Sequence, residues 1–166
     1  CGAHIGEYTL LFSTLVGFEG MVFSFEPDPR VFSFLEKNIG LNKLQNVVAN
    51  NVALGDTEGT AQFMLHPFDP TKSCLRGFGA ILNRFADTGS LTEISVPITT
   101  IDQYVRSKGL SRVDALKIDV EGAEARVLSG MFWTLSELQP GLIFIECEGA
   151  VDVAPLTEPL AGLGYK

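Results

Sequence analysis

Two short stretches near the start of the chain, Gly2-Ala3-His4-Ile5-Gly6 and Val22-Phe23-Ser24-Phe25-Glu26-Pro27, restrict the possible fold more than anything that follows. A glycine turn that leads into a helix, followed by an apolar strand closed by an acid, is how a doubly wound α/β sheet holds a nucleoside. The glycines let backbone approach a ligand closely. The acid can accept hydrogen bonds from both hydroxyls of a ribose. A strand is expected ahead of the glycine turn, and only Cys1 stands there. The chain therefore reads as an internal piece of a longer protein, truncated at both ends of its sheet.

The rest of the chain alternates between strand and helix signals. Tyr8, Leu11, Phe12 and Leu15 form an apolar stripe on a helix from Gly6 to about Val16. Met21 to Phe25 is nearly all apolar, as suits a strand covered on both faces. Asp28 reads as an N-cap and Pro29 as a first helical residue, with Val31, Phe32, Leu35 and Ile39 on the buried face. Asn46 to Leu54 reads as one strand, and Thr60 to Leu65 as the second arm of a hairpin across Gly55–Gly59. Residues 66–90 read as a long surface loop, with some helix around Ile81 to Phe85. Further extended pieces fall at Glu93–Thr99, Ala115–Val120 and Leu142–Cys147, the last expected to be buried. Helices are expected at Ile101–Lys108 behind a Thr100 cap, after Glu124, and at Ala154–Leu163. This order predicts an α/β fold: one doubly wound, mostly parallel sheet with helices on both faces and a hairpin and loop insertion.

With 166 residues, 46% of them hydrophobic, the chain can bury one large core, so a single domain spanning 1–166 is expected. The net charge of −8, with no run of Lys or Arg, argues against a nucleic-acid partner. No apolar stretch approaches the roughly 18–20 residues of a membrane helix. Three scattered cysteines give neither a disulfide framework nor a zinc site, and a reduced, cytoplasmic setting is the plain expectation. His4 and His66 lack metal-ligand spacing.

The glycine spacing is G-x-x-x-G, from Gly2 to Gly6. A dinucleotide fold needs a further glycine, where this chain has His4, to bring backbone against a pyrophosphate. S-adenosylmethionine has no phosphate and tolerates a less stripped turn. Four strings then occur in order: Gly2-Ala3-His4-Ile5-Gly6-Glu7-Tyr8-Thr9, Phe25-Glu26-Pro27-Asp28-Pro29, Asn51-Val52-Ala53-Leu54-Gly55-Asp56, and Leu116-Lys117-Ile118-Asp119-Val120-Glu121-Gly122-Ala123-Glu124. Together they resemble the FkbM-type S-adenosylmethionine-dependent methyltransferases, over residues 1 to about 149. The resemblance implies a class I methyltransferase fold and methyl transfer to a hydroxyl of a small molecule or glycan. It differs at His4, where the family commonly has Asn.

On that resemblance, Gly2, Ala3, His4 and Gly6 wrap the methionine end of the cofactor. Glu26, with Pro27, takes the ribose, and Asn51 and Val52 flank the adenine. Asp119 and Glu121, two residues apart at a strand end, are the candidate general bases for an acceptor hydroxyl. If they share a face, each raises the other's proton affinity. Lys117, on a strand expected to be buried, needs a partner, and Glu146 on the next strand is the candidate. Lys117, Glu146 and Ser73 are candidate acceptor contacts, as are Glu148 and, less strongly, His66. A nicotinamide-dependent oxidoreductase on a similar sheet, and a non-catalytic nucleotide-binding domain, remain open alternatives.

Overall fold

The computed structural model describes residues 1–77, 91–147 and 153–166. The architecture is mixed α/β, and its ladders fall into three small sheets rather than one continuous one. Strands β1 (Val22–Phe25) and β2 (Val47–Asn50) pair in parallel, from Val22 opposite Val47 to Phe25 opposite Asn50. Strands β7 (Ala115–Ile118) and β8 (Leu142–Ile145) form a second parallel pair. Between these in sequence lie β3 (Ala53–Leu54), β4 (Gly59–Leu65), β5 (Cys74–Leu75) and β6 (Thr92–Thr99), which form a four-stranded mixed sheet in the order β3-β6-β4-β5. The helices are α1 (Glu7–Val16), α2 (Pro29–Leu41), α3 (Ile101–Ser107), α4 (Glu124–Ser129) and α5 (Ala154–Gly162).

Residues Cys1–Ala3 run between the two parallel pairs. The Cys1 nitrogen donates to the Lys117 carbonyl at 2.7 Å, and the Ala3 N–H donates to the Phe25 carbonyl at 2.8 Å. A Cβ on Gly2 would overlap the Asp119 carbonyl oxygen, so only glycine allows this approach.

α2 forms as its sequence predicts. The Asp28 carboxylate accepts from the Arg30 N–H, Pro29 occupies the first turn, and Val31 and Leu35 are buried. α1 turns its stripe the other way: Thr9 and Ser13 are its buried residues, while Tyr8, Leu11 and Leu15 are exposed. The inward hydroxyls have partners waiting, Ser24 at 2.8 Å from Thr9 and Asn46 at 2.6 Å from Ser13. Burying them therefore leaves no unpaired polar group.

The predicted strand 46–54 breaks at Asn51-Val52, and its last two residues leave β2 to pair with Ile98 and Thr99. Consequently β4 is not the arm of a hairpin with residues 46–54. It pairs antiparallel with β6 over its whole length and with β5 at Phe63 and Met64. Within the expected loop, residues 70–72 make a 3₁₀ turn and β5 is buried. The helix expected around Ile81–Phe85, and Glu148, lie outside the described residues. β8 is half exposed rather than buried, with Leu142 and Phe144 open to solvent.

The larger core gathers Phe25, Ile118, Val127, Met131 and Leu135 with α3 and α5. Ile118, Val127 and Met131 are fully buried, each worth roughly 1.5–3 kcal/mol of apolar transfer. A second cluster under the mixed sheet includes Ala53, Phe63 and Ile98. No helix among the described residues is long and apolar enough to cross a membrane.

Candidate functional site

A cleft of about 320 Å³ opens where β1, β2, β7 and β8 end. Parallel strands stop there in register, and the chain that leaves them supplies the lining: Glu26-Pro27, Val52, Asp119 to Glu121, and Glu146. Gly2, Ala3 and His4 line it as well, with Glu7 and Tyr8 from the first turn of α1. The N–H groups of that turn have no partner within the helix, and their partial positive charge favours an anion. Pro70, Thr71 and Ser73 add to the lining from the segment that follows β4.

Glu26 is buried and held on both oxygens. The His4 N–H donates to Oε2 at 2.9 Å and the Asp28 N–H donates to Oε1 at 2.9 Å. Burial pushes its carboxyl up to about 7, against the two backbone donors, which pull it down. Each oxygen keeps a second lone pair, so the carboxylate can still accept two hydroxyl donors. His4 adopts a left-handed backbone, φ 49°, to bring its N–H onto Glu26.

Gly6 and Asn51 stand behind this surface rather than on it. Gly6, at φ 100°, caps α1, and a Cβ there would lie 2.7 Å from the Leu35 methyl, so it packs α1 on α2. The Asn51 amide donates to the Glu26 and Pro27 carbonyls at 2.8 and 3.1 Å and fixes the turn that carries the acid.

Lys117, also on the cleft lining, is 6% exposed at its side chain. Its ammonium lies 2.6 Å from Asp119 Oδ2, 3.7 Å from Glu146 Oε2 and 4.5 Å from the centre of the Tyr8 ring. Glu146 is thus a partner, but Asp119 is the nearer one. β7 stops at Ile118, so strand alternation does not carry on to Asp119 and Glu121. The nearest charged partner of Asp119 is the Lys117 ammonium. Glu121 sits at φ 55°, a conformation that costs a non-glycine residue on the order of 1–3 kcal/mol. The hydrogen bonds of its turn go to Glu124, whose Oε1 accepts from Val120 and Gly122.

Ser73 lines the cleft, and its hydroxyl accepts from the His66 N–H at 3.0 Å. The His66 Nδ1 accepts from the Asp69 N–H at 2.9 Å. Tyr8, expected in a packing stripe, lines the cleft, as do Glu7 and Thr71, for which the sequence predicts no role. Glu7 and Tyr8 directly follow the Gly6 turn, and that position was the signal for them. Nothing local marks Thr71.

The cleft, of mixed polar and apolar lining, lies at the carboxyl ends of the parallel strands, where open α/β sheets take their ligands. The family follows from comparison. The chain belongs to the methyltransferase FkbM domain family, whose model matches residues 1–165. It is 29% identical over 152 residues to the 31-O-demethyl-FK506 methyltransferase FkbM of Streptomyces tacrolimicus, an alignment covering 78% of this chain and 57% of that protein. It is 28% identical over 162 residues to the hexuronic acid methyltransferase AglP of Haloferax volcanii, covering 96% of this chain and 59% of the relative. The chain thus spans a little over half the length of these two relatives. The crystal structure of methyltransferase FkbM from Methylobacillus flagellatus KT matches its fold with a TM-score of 0.64 at 20% identity, over 98% of this chain and 36% of that one.

Proposed function

We propose that this chain carries out S-adenosylmethionine-dependent methyl transfer to a hydroxyl oxygen of a small molecule or glycan. The observation that carries the reading is Glu26: a buried carboxylate at a strand end, beside the Gly2–His4 bend, with lone pairs left over after both backbone donors are counted. That chemistry fits a ribose diol. Two relatives, a 31-O-demethyl-FK506 methyltransferase and a hexuronic acid methyltransferase, support an oxygen acceptor on a small molecule or sugar. The Cys1–Ala3 contacts to both parallel pairs support a finer reading of the fold, in which the pairs belong to one doubly wound sheet.

Bound in the cleft, S-adenosylmethionine supplies a methyl group made electrophilic by a positively charged sulfur. The chain has to hold and orient. Glu26 accepts from the ribose hydroxyls, and Gly2, Ala3, His4 and Pro27 line that end. Val52 would flank the adenine, with Asn51 bracing the Glu26-Pro27 turn. Asp119 or Glu121 accepts the proton of the acceptor hydroxyl, and Lys117, Glu146 and Ser73 orient the acceptor. Glu121, held at φ 55° on the cleft lining, puts backbone strain where functional sites commonly store it.

Calorimetric titration with S-adenosylhomocysteine, NAD and ATP tests this reading. S-adenosylhomocysteine should bind, and Glu26→Ala should weaken it by about 1–3 kcal/mol, the worth of charge-assisted hydrogen bonds. Transfer of labelled methyl to a panel of sugars and small alcohols should fall in Asp119→Asn and Glu121→Gln while cofactor affinity holds. Binding of NAD in place of S-adenosylhomocysteine would overturn the assignment.

A further inference from the structure

A run of hydrogen bonds leads from the Glu26 carboxylate to the cleft-lining segment 70–73, and its centre is Arg30. The Asp28 N–H donates to Glu26 Oε1. The Asp28 carboxylate, 1% exposed, takes a two-pronged contact from the Arg30 guanidinium, Nε to Oδ1 at 3.0 Å and Nη2 to Oδ2 at 2.6 Å. The same Nη2 donates to the His66 carbonyl at 3.3 Å, 36 residues away in sequence. The His66 N–H then donates to Ser73 Oγ, and Ser73 with Pro70 and Thr71 forms the cleft wall.

Each end of this run is tied into its own element. Asp28 also caps α2 through the Arg30 N–H, so it cannot shift without loosening the helix start. The loop is braced from within: His66 Nδ1 accepts from Asp69, and the Asp69 carboxylate accepts from Thr71 and pairs with Lys72 at 3.1 Å. A planar guanidinium joined to one carboxylate by two bonds has its remaining N–H direction fixed. An ordinary surface ion pair would do nothing of the kind. Here one partner is buried, and the third donation lands on the backbone of the loop that carries Ser73.

We propose that Arg30 is a positioning residue that couples the cofactor end of the cleft to the loop of residues 66–73, so that filling the ribose site orders the acceptor wall. The inference rests on Glu26 being the ribose acid. Hydroxyl bonds to Glu26 restrain the carboxylate, hence Asp28, hence the guanidinium and the His66 carbonyl. The acceptor surface is completed when the methyl donor is in place, and this favours donor-first binding.

Hydrogen exchange read by mass spectrometry, with S-adenosylhomocysteine as the probe, tests this without an acceptor. In the unmodified protein, saturating probe should slow exchange in peptides spanning 66–75 by about threefold or more. Arg30→Met should keep probe affinity within about threefold and lose that slowing. Arg30→Lys keeps a cation on Asp28 but has no fork to aim at His66, and should also lose it. Loop slowing that survives in either variant overturns the proposal, as does probe binding with no change at 66–75 in the unmodified protein. Lack of probe binding to the unmodified protein would appear first in the titration and would remove the ribose reading along with this inference.

Discussion

Lowering the pH from 8 to 6 should weaken S-adenosylhomocysteine binding about tenfold, and the reason is Glu26. Its carboxyl is raised from 4.5 to about 7 by burial. If the ribose diol binds only the ionised form, the apparent dissociation constant scales as one plus ten to the power of seven minus pH, about 1.1 at pH 8 and about 11 at pH 6. The stability of the empty protein moves in the opposite direction. A carboxyl raised in the fold stays protonated there while it ionises in the unfolded chain, so between pH 4.5 and about 7 the folded state holds the extra proton. Stability contributed by the neutral form is therefore present below 4.5 and is lost as pH rises through about 7, by about 3 kcal/mol at 1.36 kcal/mol per unit. Titration calorimetry at pH 6, 7 and 8, paired with urea unfolding from pH 4.5 to 8, separates the two trends. Glu26→Gln should flatten both. Affinity that stays flat or falls from pH 6 to 8, or a Gln variant with the original slope, refutes the reasoning.

Three further expectations concern the scaffold, each checked by urea unfolding. Thr9→Val alone should cost about 1–3 kcal/mol, because it strands the buried Ser24 hydroxyl, whereas Thr9→Val with Ser24→Ala should recover most of that loss. Asp102→Ala should cost about 2–3 kcal/mol, since the carboxylate takes the Trp133 and Thr134 N–H groups and the Thr134 hydroxyl at the start of a π-helical turn over Thr134–Leu138. Gly130→Ala should cost about 2–4 kcal/mol, because its Cβ would overlap the backbone carbonyl oxygen of Gly55, which has no rotamer with which to yield.

How much of this could be read from the sequence depended on distance along the chain. α2 was legible because its cap, its proline and its buried face are all local. So was the link from the Gly2–His4 bend to Glu26, although the sequence could not say that the contact is a backbone N–H of a left-handed His4. The break at Asn51 was invisible because Ala53 and Leu54 are claimed by Ile98 and Thr99, far downstream. α1 misled because helical spacing counts apolar residues, while Thr9 and Ser13 are drawn inward by Ser24 and Asn46 on other elements. In the cleft, the Lys117–Glu146 contact was anticipated, but the closer bond to Asp119 turns on side-chain rotamers. The contact of Arg30 with His66 has no local signature at all.

The inverted docking of α1 also bears on aim. Grease lets a helix roll about its own axis, since one oily contact substitutes for another. The Thr9–Ser24 and Ser13–Asn46 bonds do not allow that: a roll of a single residue breaks both at once. Two hydroxyls on the far side of the cylinder thereby index its rotation, and with it the direction in which Glu7 and Tyr8 look out at their end.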